Sequence, residues 1–306
     1  MDQSTALLAP SPSTTPDELA ARTFLARYSG PTLETYTFAL KKYLRWCDSN
    51  GLDPLQVKRP ILELYVRWME NSGIARSTLA HQLGVVRGYY RFAAIDEFIP
   101  KNPAEFVRVP RYAEDEARML GLDRFELGAM LQAARTANPT EWALVVLMGM
   151  LGLRVSEACS IQVQDFQHHE GGHRVLKFTG KGGKRATIPL PVPVQRALDA
   201  AAGERTEGPL LFRQSGRRKG TPHCRTSVRP VIERLARQAK IDRHVHSHML
   251  RHSFVGVALD AGVSLRDVQL AARHRSSNTT AQYDRRRRRH DGHGVHTVAA
   301  FLDGTS

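Results

Sequence analysis

Breaking a phosphodiester without a metal or a nucleotide takes three kinds of group. A side-chain nucleophile must attack phosphorus, cations must stabilise the charge building on the non-bridging oxygens, and an acid must protonate the leaving oxygen. This sequence holds such groups in five short strings: Gly152-Leu153-Arg154-Val155-Ser156-Glu157-Ala158, Gly180-Lys181-Gly182-Gly183-Lys184, His248-Met249-Leu250-Arg251-His252-Ser253-Phe254, Ala272-Arg273-His274 and Thr279-Thr280-Ala281-Gln282-Tyr283. Guanidinium suits the second task, because its planar fork grips two phosphate oxygens and stays charged. Phenol is a reluctant nucleophile. With a pKa of about 10, only roughly a thousandth of it is ionised at neutral pH, so cations must lower that value or a base must take the proton. Taken singly, each residue has a plainer reading: Arg154 as a helix-surface charge, Lys181 as a solvated turn lysine, His274 as a helix-terminus cap, Tyr283 as half-buried packing.

Two other constellations invite metal chemistry and lose it on local geometry. His169-Glu170-Gly171-Gly172-His173 matches the H-E-x-x-H pattern of zinc proteases, which works only on a continuous helix. The Gly171-Gly172 pair sits between a short turn and a strand, where a helix does not fit. His244, His246 and His248 would line up on a strand, but Ser247 followed by an apolar-periodic stretch starts a helix and scatters them. No metal site and no cofactor is expected.

The elements that must position these groups fall into two regions. In the first, Leu33, Tyr36, Leu40, Tyr43, Leu44 and Cys47 recur at helical spacing after a cap at Thr32, and Gly51 closes the helix. Pro60 opens a second helix with Ile61, Leu62, Tyr65, Trp68 and Met69, and Ser77 or Thr78 opens a third with Leu79, Leu83, Val86 and Tyr90. Pro100, Pro103 and Pro110 then break the periodicity beside an acidic Glu114-Asp115-Glu116 patch, as a linker would. In the second region, Asp123 with Glu126 makes a capping-box start, and Asn138-Pro139 opens a buried apolar helix ending near Gly152. His173 to Phe178 and Arg185 to Leu190 read as strands joined by the glycine-lysine turn. Helices follow over Thr226 to Ala239, Ser247 to Ala261 and Ser264 to Arg273. The expected class is mainly α with a small antiparallel sheet, α+β. The expected division is a disordered leader over 1–16, a helical domain over 17–99, a linker over 100–118 and a second domain over 119–306.

A formal net charge of +14 points to a polyanionic partner, with nucleic acid foremost, since neutralising phosphates releases counterions. Lys41, Lys42, Arg76 and Arg87 on the polar faces of the first region are candidate DNA contacts. So are Lys184, Arg185, Arg273 and Arg285 in the second. The five consecutive arginines from Arg285 to Arg289 either grip backbone or form a solvated tail. Cys47, Cys159 and Cys224 have no C-x-x-C spacing, which fits reduced thiols in the cytoplasm. Residues 1–16 lack a signal-peptide pattern, and the apolar run from Trp142 to Leu153 is too short to cross a membrane.

In order and spacing, the five strings resemble those of the tyrosine recombinase family of phage integrases and Xer-like enzymes. The resemblance is detailed from Asp123 to Tyr283 and looser over the N-terminal helices, which look like the family's core-DNA-binding domain. It implies a site-specific recombinase or integrase that cuts and rejoins duplex DNA through a 3′-phosphotyrosyl link at Tyr283. By the same resemblance, Arg154 and Arg251 clamp the scissile phosphate, and His248 shares it or helps move a proton. His274 hydrogen-bonds a non-bridging oxygen, and Lys181 acts as general acid, with Lys184 a competing candidate. Implied partners are a duplex recombination site, a homotetramer on two DNA sites and accessory DNA-bending or directionality factors, with no membrane and a cytoplasmic, nucleoid-associated location. Val295 to Leu302 could dock on a neighbouring protomer or on its own domain. Two departures stand out: Arg273 replaces the small residue many relatives have before the histidine, and the arginine run follows the tyrosine. Two alternatives stay open. One is type IB topoisomerase chemistry without site choice, the other a DNA-binding protein with a decayed active site.

Overall fold

The computed structural model describes residues 14–110, 121–180 and 183–273. The leader through residue 13, residues 111–120, Lys181, Gly182 and all residues from His274 onward lie outside the described residues. The chain divides into two compact units, Met1–Glu114 and Asp115–Ser306.

Among the described residues the first unit holds four helices: α1 (Pro16–Ala26), α2 (Gly30–Ser49), α3 (Arg59–Asn71) and α4 (Arg76–Ile95). Pro16, Pro31 and Pro60 each sit in a first helical turn, where the missing N–H costs nothing. The apolar stripes of α2, α3 and α4 meet in one core around Leu40, Leu62, Met69, Leu79 and Leu83, all of them buried. Each contributes about 2 kcal/mol by leaving water. Tyr43, Tyr65, Tyr89 and Tyr90 fill the centre with edge-to-face rings. The Tyr43 and Tyr90 hydroxyls bond each other, and Tyr90 also donates to the Pro54 carbonyl at 2.7 Å. Ala104 and Val107 pack into this core although prolines break the helical pattern around them. α2 begins at Gly30 rather than after Thr32, and α1 has no periodicity strong enough to announce it.

The second unit starts with α5 (Arg124–Ala137), and its capping box forms as the sequence suggests. Asp123 accepts the amides of Phe125 and Glu126 at 2.8 Å each, and Glu126 returns the bond to the Asp123 amide at 3.0 Å. Asn138 caps α6 (Pro139–Gly149), which is apolar all round because it runs through the core. After α7 (Val155–Ser160) and a 3-10 turn, three antiparallel strands follow in the order β1 (His168–Glu170), β2 (His173–Thr179), β3 (Arg185–Pro189). The β2–β3 register pairs Leu176 with Ile188 and Phe178 with Ala186. β1 is an addition to the expected pair of strands. It pairs Glu170 with His173 across Gly171-Gly172, whose φ values of 56° and 79° close a tight turn. The H-E-x-x-H string therefore lies on a hairpin and has no helical face. Then come α8 (Val192–Ala202), α9 (Arg225–Gln238), α10 (Ser247–Asp260) and α11 (Leu265–Ala271), with Ser264 capping α11 through the Asp267 amide at 3.1 Å. Among the described residues no helix is long and apolar enough to cross a membrane.

Candidate active site

α6 ends in a turn at Gly152, and the backbone of that residue sets the direction of the chain beyond it. Its φ is +63°, a region glycine enters freely, and a β-carbon there would lie 2.5 Å from the Phe254 ring of α10. Only glycine lets α10 come this close. The turn delivers Arg154 to the start of α7, where Glu157 reaches back to it. Glu157 Oε2 accepts the Arg154 backbone amide and Oε1 accepts its guanidinium, both at 2.8 Å. The carboxylate is 4 % exposed and the Arg154 side chain 29 %, so the acid is buried while its arginine keeps a face to solvent. Burial pushes the Glu157 carboxyl up, but the bonds and charge of Arg154, with Arg273 behind them, outweigh burial and hold it below the usual carboxylate range.

Arg251 approaches the same turn from α10 and is 2 % exposed. Its guanidinium donates to the carbonyls of Gly152 and Ala272, tying α10 to the end of α6 and to the residue after α11. Burial, and then the charges of Arg154 and Arg273, pull its pKa down to about 9, which still leaves it a cation at neutral pH. His248 lies one helical turn before Arg251, its ring 4.4 Å from that of His252. Desolvation, then the charges of Arg251, His246 and Arg154, bring the His248 pKa down to about 4 although the residue is exposed. At neutral pH it is a neutral imidazole, able to donate one hydrogen bond and accept another. Arg273, after α11, also reaches in, with NH2 3.2 Å from the Gly152 oxygen and 3.4 Å from Glu157 Oε2.

The structure thus brings Arg154, Arg251, Arg273 and His248 to one place. Three guanidiniums around one carboxylate leave two net positive charges, the complement of a doubly charged phosphorane. The base of the β2–β3 hairpin adjoins them. The Gly180 amide donates to the Lys184 oxygen at 2.7 Å, and a β-carbon on Gly180 would sit 3.4 Å from Glu157 Oε1. Lys181, His274, Tyr283 and Arg285 lie outside the described residues. Lys184 and Arg185 are exposed on the hairpin. In the first unit Lys41 and Arg76 are exposed, Lys42 donates to Gln82 at 3.3 Å and lies 5.6 Å from the Trp68 ring, and Arg87 donates to the Glu105 oxygen at 3.3 Å. Glu157 is the residue that sequence reasoning passes over. Its signal is an acid three residues after Arg154, which in most helices is only a capping residue.

Comparison with known proteins gives one consistent answer. The profile of the phage integrase family matches residues 121–290, and that of the phage integrase N-terminal SAM-like domain matches residues 24–96. Tyrosine recombinase XerC of Bacillus pumilus is 26% identical over 271 residues, covering 84% of this chain and 86% of the relative. Tyrosine recombinase XerD of Bifidobacterium longum is 27% identical over 269 residues, covering 82% and 85%. The fold is like that of a lambda integrase dimer bound to a COC′ core site, with a TM-score of 0.69 at 18% identity, covering 86% of this chain and 95% of the other. It is also like that of XerH recombinase in a post-cleavage complex on difH, with a TM-score of 0.68 at 19% identity, covering 94% and 85%.

Proposed function

This chain belongs to the phage integrase family, whose profile spans more than half of it, and we propose from that premise that it is a site-specific DNA recombinase. Its reaction needs neither metal nor nucleotide. The Tyr283 oxygen attacks the scissile phosphorus as its proton passes to the neutral imidazole of His248 or to water, the bond from phosphorus to the 5′ oxygen breaks, and Lys181 gives that oxygen its proton. A 3′-phosphotyrosyl bond then stores the energy of the broken one. A 5′ hydroxyl from the other duplex reverses the chemistry and releases the tyrosine, so strands are rejoined without an energy source.

The pocket's residues serve that path. Arg154 retains an open face toward solvent for a phosphate oxygen while Glu157 fixes its other side. Arg251, buried and doubly bonded to backbone, supplies a charge whose position is already set before substrate arrives, which is the form of stabilisation that costs no reorganisation during reaction. His248, neutral, and His274 bond the non-bridging oxygens. Lys41, Lys42, Arg76, Arg87, Lys184, Arg185 and Arg285 meet the DNA backbone. Assembly is a tetramer on two sites, a reading supported by the likeness in fold to a lambda integrase tetramer bound to a Holliday junction. The location is the cytoplasm, on the nucleoid.

The observation that carries this reading is the meeting of Arg251 with the Gly152 turn that delivers Arg154; Arg251 and Gly152 are 99 residues apart. Its test begins by selecting duplexes that the protein binds from a random library, then nicking them so that a cleaved strand cannot be rejoined. The wild type then accumulates a covalent protein–DNA adduct. Tyr283→Phe binds the same duplexes and forms none. An adduct that persists in Tyr283→Phe contradicts the proposal.

A further inference from the structure

Three non-glycine residues among those described adopt positive φ: Glu97, Lys240 and Arg273. Glu97 and Lys240 are exposed at helix ends, where such turns are common. Arg273 is different. At φ 54° its backbone directs the side chain inward, leaving it 18 % exposed. There NH1 donates to the Ala271 oxygen at 3.0 Å, NH2 lies between the Gly152 oxygen and Glu157 Oε2, and the guanidinium carbon stands 5.1 Å from the centre of the Phe178 ring. A left-handed backbone is costly for a residue with a β-carbon, and it persists where the surrounding contacts compensate.

Those contacts engage the very groups that hold Arg154. Glu157 offers two oxygens: Oε1 takes the Arg154 guanidinium, and Oε2 is shared by the Arg154 amide and Arg273. A buried carboxylate with a single guanidinium partner would cancel most of that partner's charge. Shared between two, it cancels less of each. We propose that Arg273 is a positioning residue, which draws on the Glu157 carboxylate so that Arg154 stays held in place and yet keeps its charge available for the phosphate. Arg273 acts through Glu157 rather than by touching DNA. Its kinetic consequence rests on the recombinase reading, whereas its electrostatic consequence does not.

The test compares wild type with Arg273→Met, which removes the charge and keeps the length, and Arg273→Lys, which restores the charge. Arg273→Gly, suited to the left-handed backbone, replaces the methionine variant if that fails to fold. In single-turnover cleavage at saturating DNA, Arg273→Met should be slower by about tenfold, with binding nearly unchanged and the lysine variant largely recovered. In the free proteins, carboxyl NMR titration of Glu157 should show its midpoint raised in Arg273→Met and returned toward wild type in Arg273→Lys, because one of the cations holding it down has gone and come back. An unmoved Glu157 midpoint overturns the proposal, whatever the rate. So does a loss of DNA affinity that matches the loss of rate, which would make Arg273 a phosphate contact. The titration needs no DNA. A wild type that never cleaves, with a midpoint that shifts as expected, would therefore count against the recombinase reading and leave the coupling of Arg273 to Glu157 standing.

Discussion

Arg251 is 2 % exposed and yet charged, because the carbonyls of Gly152 and Ala272 replace the water it has lost. His248, in the same helix, is exposed, yet desolvation and the cations beside it leave it neutral. In the free protein its C2 proton should titrate with a midpoint of about 4, where an ordinary histidine titrates near 6.5. A depressed folded pKa has a definite sign. The unfolded chain takes up the proton first, so this residue's contribution to stability is complete above pH 6.5 and drains away as pH falls toward 4. A midpoint near 6.5 in the NMR titration would contradict the crowding of cations around the ring. It is the resemblance of His248-Met249-Leu250-Arg251 to a family box that singles out both residues, and their spacing puts them on one helical face. It cannot tell which will carry charge. That depends on burial and on Arg154 and Arg273, which arrive from elsewhere. Glu157 escapes notice for a related reason: a capping acid and an arginine anchor look identical in sequence.

Among the elements, those with strong periodicity are legible: α2, α3 and α4 in the first unit, and α5, α6, α9 and α10 in the second. The helices and strand that escape a sequence reading share weak local signals. α8 begins among Pro189, Pro191 and Pro193, which read as loop punctuation although a proline in the first turn is well tolerated. β1 is three exposed polar residues, defined only by pairing with β2. α1 buries little beyond Ala20, Ala21 and Phe24. The turn after α6 is visible as Gly-Leu-Arg, but its close approach to Phe254 is not, because the partner lies in α10. That approach gives a direct prediction. Gly152→Ala meets both an unfavourable φ of +63° and a 2.5 Å clash with the Phe254 ring. It should cost about 2–3 kcal/mol in urea unfolding and lower cleavage further than it lowers DNA binding, since Arg154 and Arg251 both depend on this turn. Wild-type stability in Gly152→Ala would show that the turn can relax and does not set the pocket.

For the molecule as a whole, the net charge of +14 is the plainest feature of the sequence, and it bears on affinity rather than on chemistry. Binding to any duplex should fall with salt, with log K against log salt sloping at about −5 or more steeply if six or more phosphates are neutralised. A slope near zero, measured by fluorescence anisotropy, would remove DNA backbone from the account. For the chemistry itself, the proposed event is that one phenol, Tyr283, becomes bonded to phosphorus within a pocket built by Arg154 and Arg251. The direct measurement is to trap the wild-type adduct on a nicked duplex, digest protein and DNA, and sequence the nucleotide-bearing peptide by mass spectrometry. The result expected is a 3′-phosphonucleotide on Tyr283. A nucleotide attached to any other side chain, or through a 5′ phosphate, would contradict it.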